Sequence, residues 1–252
     1  MADVPPILEF DPDRRALIDP RSEPPILGAP RAAVACFFPA LIDELSTAGQ
    51  VLCQLPSMGD LWKIDYGGEP LAVFYPGQGA SLATVTVERV LAAGIEAMVA
   101  CGGAGAVVPG LALGHVIVVD AAVRDEGTSY HYIPPSREVS TPRKVVDVLQ
   151  EVVQDSGLAY TVGKTWTTDG FFRETPGRIQ RRRDEGCIVV EAETAALLAV
   201  GQFRDVPIGQ YLFAGDDVSG EVREDRGWRT AHDVHVALFN LAARSALRLA
   251  KS

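Results

Sequence analysis

From residue 33 onward, short apolar runs rich in β-branched residues alternate with helical stretches, and nearly every run ends on glycine, threonine or acid. That alternation constrains the fold more than any other feature. A strand, a helix and a second strand can share one sheet only if the helix crosses its face, so the pattern predicts helices covering both faces of a largely parallel sheet. Strands are expected at 33–36, 97–101, 116–123, 160–166, 187–190 and 208–214, and a hairpin at 62–66 and 71–75 about Gly67-Gly68. Helices are expected at 39–47, 81–93, 142–155, 176–185, 191–202 and 230–250. In the third of these, Val145, Val146, Leu149, Val152 and Val153 recur at three and four, and Gly94 and Gly157 stand where helices stop.

Sheets of this kind bind ligands beyond the carboxyl ends of their strands. Five unusual clusters fall there: Gly77-Gln78-Gly79, Gly102-Gly103-Ala104-Gly105, Thr167-Thr168-Asp169, Glu191-Ala192-Glu193 and Gly215-Asp216-Asp217. Each has two readings. The glycines either let the chain turn or approach a neighbour closely, or they form a ligand cradle. Glu191 and Glu193 either serve the N-terminus of the next helix or point together into a cleft, where a carboxylate accepts from two sugar hydroxyls. Asp216 and Asp217 either belong to a plain turn or supply a proton from a partly buried strand end. Neither glycine cluster is a complete G-x-G-x-x-G, and no G-x-x-x-x-G-K-[ST] occurs.

Composition narrows the partners. The chain of 252 residues carries 23 Lys and Arg against 33 Asp and Glu, a net charge of −10, which argues against a nucleic-acid groove and a polybasic membrane patch. Cys36, Cys53, Cys101 and Cys187 form no C-x-x-C pair and are read as free thiols of a reducing cytoplasm. No signal peptide or membrane span is expected. His232 and His235 are three apart but lack further ligands, so they are read as surface or packing residues and no metal site is expected. Residues 1–32 hold seven prolines and read as an extended arm ahead of a single domain, 33–252.

Taken in order, Tyr75-Pro76-Gly77-Gln78-Gly79, Cys101-Gly102-Gly103-Ala104-Gly105-Ala106, Thr167-Thr168-Asp169-Gly170-Phe171-Phe172, Val190-Glu191-Ala192-Glu193-Thr194 and Ala214-Gly215-Asp216-Asp217 resemble the nucleoside phosphorylase family. That family contains hexameric purine nucleoside phosphorylases, uridine phosphorylases and adenosylhomocysteine nucleosidases. The resemblance implies a three-layer α/β/α fold with a mixed central sheet. It implies cleavage of the N-glycosidic bond of a nucleoside, preferably a purine one, by phosphate as co-substrate and without a cofactor, in a homo-oligomer, dimer or hexamer. Hydrolysis, uridine phosphorolysis and non-catalytic nucleoside binding are the alternatives.

Residue by residue, the resemblance implies that Glu193 holds the ribose hydroxyls. Glu191 is the first acid of the motif, and Ala192 stands where the family has a Met against the sugar. It implies that Phe171 stacks on the base, with Gly103, Ala104 and Gly105 alongside. Asp216 protonates N7 with Arg229 as its partner, Asp217 being the alternative register. The pyrimidine-reading Gln and Arg are replaced by Thr175 and Gly177, leaving Arg173 or Arg178 as substitutes. The phosphate site departs most: Phe37-Phe38-Pro39-Ala40-Leu41 replaces G-D-P-x-R, and Ala100 and Gly103 replace an Arg and a Ser or Thr. The donors left for phosphate are backbone N–H groups, chiefly of Gly77, Gly79 and Gly102, with the arm's Arg14, Arg15, Arg21 and Arg31 as further charge.

Overall fold

The computed structural model describes residues 5–22, 26–55 and 59–251. The elements run β1 (Ala32–Cys36), α1 (Pro39–Ser46), β2 (Gln50–Leu55), β3 (Gly59–Tyr66), β4 (Glu69–Phe74), α2 (Ala80–Ala92), β5 (Ala97–Ala106), β6 (Val116–Asp125), β7 (Glu138–Ser140), α3 (Arg143–Ser156), β8 (Tyr160–Thr168), α4 (Pro176–Asp184), β9 (Cys187–Glu191), α5 (Thr194–Arg204), β10 (Ile208–Asp217) and α6 (His232–Leu249). Single turns of 3-10 helix include Pro6–Leu8 and Pro20–Ser22 in the arm.

The sheet is mixed. Its order is β2-β3-β4-β1-β5-β9-β8-β6-β10, with β7 on β6. β1 lies parallel between β4 and β5, and the predicted hairpin is β3–β4, antiparallel about Gly67-Gly68. β10 pairs antiparallel with β6 and parallel with β5, so β5, β9, β8, β6 and β10 close into a ring. The alternation along β1 builds the layers. Ala32, Val34 and Cys36 join a core with Leu149 of α3 and Leu238 and Leu241 of α6. Ala33 and Ala35 face a second core with Val87 and Val90 of α2 and Leu197 and Val200 of α5. Both faces of the strand are buried, which is why it reads as an unbroken apolar run. The α3 stripe packs as expected, and Gly157 closes that helix in the left-handed region, φ +73°.

Ring closure corrects the strand ends. Gly102, Gly103 and Gly105 are not a turn: they lie inside β5, where β10 pairs Leu212, Phe213 and Ala214 with Gly102, Gly103 and Ala104. Glu191 ends β9 rather than opening a helix, α5 begins at Thr194, and Asp216 and Asp217 still belong to β10. β2 and β7 are strands that the apolar pattern did not announce.

The described residues before β1 make contacts with the rest of the chain. Arg14 pairs with Asp205 and sits 5.5 Å over the Phe203 ring, Arg31 pairs with Glu96, and Lys63 Nζ donates to the Gly28 carbonyl. Residues 1–4 and the arm's Pro24 and Pro25 lie outside the described residues. All four cysteines are free, three of them buried. Among the described residues, no helix is long and apolar enough to cross a membrane.

Candidate active site

A cavity of about 510 Å³ opens at the carboxyl ends of the ring strands. It is lined by Gly103, Ala104 and Gly105 of β5, Glu191 at the end of β9 with Ala192 and Glu193 after it, Asp216 of β10, Gly79 ahead of α2, and Phe171, Glu174, Arg223, Trp228 and Arg229 from loops. The volume lies in the range of small-molecule sites.

Glu193 is 8% exposed. It occupies the residue before α5, yet its side chain turns away from that helix and accepts the Gly79 N–H at 2.6 Å, at the start of α2. Burial, with Glu191 close by, pushes its carboxyl up to about 8. Glu191 has the opposite task. Its carboxylate accepts the N–H groups of Glu193 and Thr194, both at 2.7 Å, and the Thr167 hydroxyl at 2.6 Å. It therefore caps α5 from the end of the preceding strand. Burial raises its carboxyl and these donors pull it back. The E-x-E sequence thus divides into one acid that builds the helix start and one that faces the ligand space.

At another wall, Asp216 is 7% exposed and accepts Arg223 Nε at 2.6 Å. Arg223 is placed by a local bridge: Asp217 N–H donates to the Glu224 carbonyl at 2.8 Å and Glu224 N–H returns to Asp217 at 2.9 Å. Gly105 makes room for the acid, because a Cβ there would stand 3.4 Å from Asp216 Oδ1 and 3.1 Å from Val190. The same bridge closes the register alternative. Asp217 turns to the loop, accepting the Ser219 N–H at 2.8 Å.

Arg229 and the glycines stand differently from what was expected. The arginine on Asp216 is Arg223, not Arg229. Arg229 lines the cavity but lies against the Trp228 ring, 4.6 Å from its centroid, and reaches Asp225 at 3.3 Å. Among the phosphate donors, the Gly79 N–H is already given to Glu193. Gly77, at φ +94°, shapes its turn without lining the cavity. Gly102 faces Phe37, whose ring carbon would stand 3.3 Å from an added Cβ. Gly103 and Gly215 both lie under the Trp228 indole, with closest approaches of 3.0 and 3.1 Å to an added Cβ. Close approach of aromatic rings is the reason for these glycines. A small annex of about 70 Å³ lies beneath Phe37 and Trp228 beside Glu193, and among the described residues lining it none is Lys or Arg.

The arm's arginines do not line the cavity, Arg178 pairs with Asp125, and Arg173 is not among the lining residues. His235 stacks on Phe38 at 4.1 Å and His232 faces Glu44, so both histidines are packing or surface groups as expected. Sequence reasoning missed Arg223, Trp228 and Glu174. Trp228 signals itself only through the glycines it covers. Glu174 stands three residues after Phe171, across a single turn of 3-10 helix, and that spacing is the signal that was available.

The phosphorylase superfamily profile matches residues 31–250, and the chain belongs to that superfamily. It is similar to a uridine phosphorylase of Thermococcus kodakarensis, 33% identical over 107 residues, covering 42% of this chain and 39% of the relative. It is also similar to a guanosine phosphorylase of Halorubrum lacusprofundi, 24% identical over 144 residues, covering 57% and 60%. The matches thus span about 40–60% of these relatives' length. A uridine phosphorylase structure from Vibrio fischeri superposes with a TM-score of 0.74 at 21% identity, covering 89% of this chain and 93% of that one. The mixed α/β fold is the one that structure has.

Proposed function

We propose that this chain is a pentosyltransferase that cleaves the N-glycosidic bond of a nucleoside, with a purine base preferred, and passes the ribosyl group to inorganic phosphate. The observation that carries the reading is the presence of two buried carboxyl groups, Glu193 and Asp216, in one cavity of nucleoside size. Glu193 takes the ribose hydroxyls. Asp216, oriented by Arg223, hydrogen-bonds the departing base, and Phe171 covers its face. As the bond lengthens, positive charge grows on the sugar and negative charge on the base, and fixed polar groups at both ends favour that separation. Relatives named uridine, guanosine and purine nucleoside phosphorylase support phosphate as the acceptor.

Hydrolysis is the second reading. It is favoured by the annex beside Glu193, roofed by Phe37 and Trp228 and without a basic side chain among its described residues. The test is release of free base from inosine, guanosine, uridine and adenosine, with and without phosphate. Phosphate-dependent release supports phosphorolysis, equal release in both supports hydrolysis, and none from any nucleoside overturns the proposal. We place the enzyme in a reducing cytoplasm, a reading its four free cysteines support, and in a homo-oligomer, a dimer or hexamer. The bare apolar side chains of Leu17, Ile18 and Leu27 on the arm support association.

A further inference from the structure

A second groove, of about 380 Å³, lies at the far ends of the strands from the cavity: Ile208, which lines it, opens β10, whereas Asp216 of the cavity stands near the close of that strand. Its floor is Val145 of α3, Leu198 of α5 and Ile208, all buried, and Lys144, Gln202 and Asp205 stand exposed at its rim. Beside it runs a loop, residues 14–21, with an uncovered tip. Leu17 and Ile18 are bare there, at 107% and 92% exposure, and two adjacent aliphatic side chains in water are unfavourable unless something covers them. The loop is held together from within. Arg21 Nη2 reaches the Arg14 carbonyl at 3.5 Å across its base, Arg21 N–H and Nε donate to Asp19 Oδ1 at 3.0 and 3.1 Å, and Ser22 Oγ donates to the Asp19 carbonyl at 2.7 Å. Arg14 pins it to the body of the chain by pairing with Asp205, one of the groove's own rim residues.

We propose that this face joins two copies of the chain about a two-fold axis, with Leu17 and Ile18 of each copy seated in the groove of the other. A two-fold contact needs knob and hole side by side on one patch, because each copy must offer both. The Arg14–Asp205 pair places them so: the loop starts at the groove's edge, yet its tip stands bare instead of filling the groove of its own chain. A groove of that volume with an aliphatic floor accommodates a pair of branched aliphatic side chains. Charge agrees with the pairing. Asp11 and Asp13, on the approach to the loop, are exposed and acidic, and Lys144 on the rim is exposed and basic, so the two surfaces meet with opposite sign. The loop precedes the residues that match the superfamily profile, 31–250, so the knob comes from sequence outside the shared fold. Because the groove lies at the far ends of the strands, the contact leaves Glu193 and Asp216 uncovered.

The inference rests on the homo-oligomer reading above and names its surface, so the test separates the two. Sedimentation equilibrium of the full chain at micromolar concentration compares wild type with the double variant Leu17→Asp/Ile18→Asp, which changes bare side chains only, and with Gln202→Trp, which fills the groove from its exposed rim. The expected result is a wild-type assembly with an even number of copies, and in both variants a dissociation constant raised at least about 30-fold, seen as a fall to half the wild-type mass or less. Circular dichroism checks that the variants are folded; if Gln202→Trp is not, Lys144→Trp takes its place and must lower the mass in the same way. A wild-type assembly whose mass the folded loop variant leaves unchanged overturns this surface and leaves the homo-oligomer reading standing. Loss of mass in the loop variant but not in the folded groove variant overturns the groove as the seat. A monomeric wild type overturns both the surface and the homo-oligomer reading.

Discussion

Replacing Glu193 by Gln should disable the protein and stabilise it at the same time. The wild-type carboxyl is buried, sits beside Glu191 and is held up at about 8 from an ordinary 4.5. A group raised in the folded state binds its proton more tightly there than in the unfolded chain, so stability falls as pH rises through that interval. At about 1.4 kcal/mol per pH unit, the ionised carboxylate costs the fold at most about 5 kcal/mol above pH 8. Sharing of charge with Glu191 and solvent in the cavity reduce this to about 1–3 kcal/mol. Gln keeps an oxygen for the Gly79 N–H and carries no charge. Urea unfolding at pH 4.5, 7 and 9 should show Glu193→Gln level with wild type at the lowest pH and more stable by that margin at the highest. Nucleoside cleavage assayed at pH 9, where the carboxyl is ionised, should fall by about 10²–10³, the loss of charge-assisted bonds to two hydroxyls. A variant that keeps full activity, or one that loses stability equally at pH 4.5 and pH 9, would refute the claim that this acid is held strained for the ligand.

Glu191→Gln should behave in the opposite way: it puts an amide group among donors that need an acceptor, and chemical denaturation should show a loss of about 2–3 kcal/mol at neutral pH. Asp216→Asn should lower kcat by about 10²–10⁴ while the melting temperature stays within a few degrees. Arg223→Ala should cost far more activity than Arg229→Ala, since Arg223 alone reaches Asp216 among the described residues; equal losses in steady-state rates would return the role to Arg229. Gly103→Ala should destabilise by about 1–3 kcal/mol, because its Cβ would meet Trp228 at 3.0 Å and Phe213 at 3.2 Å, and an unchanged urea midpoint would contradict that.

The layers were legible because burial on both faces leaves its mark directly in residues such as Ala33, Val34 and Ala35. The α3 stripe and the Gly67-Gly68 hairpin were legible for the same local reasons. Closure of the ring was not, because the pairing of β10 with β5 joins residues about a hundred positions apart and leaves no local period. Glycine inside β5 looks like a turn until the rings of Phe37 and Trp228 are seen above it. In the site, the acids were legible by type and position but their division of labour was not. Nothing local separates Glu191, which takes the α5 amides, from Glu193, which takes Gly79. The choice of Arg223 over Arg229 depends on the Asp217–Glu224 bridge, which the sequence does not mark.

The central claim concerns what happens to the sugar, and phosphorus NMR of the protein with inosine and inorganic phosphate follows it directly. The account predicts a pentose 1-phosphate resonance that grows in step with hypoxanthine and is absent from the Asp216→Asn sample. Hypoxanthine released while inorganic phosphate stays intact would contradict phosphorolysis, and no hypoxanthine, guanine or uracil from any of their nucleosides would contradict the assignment of this cavity as a site of glycosidic cleavage.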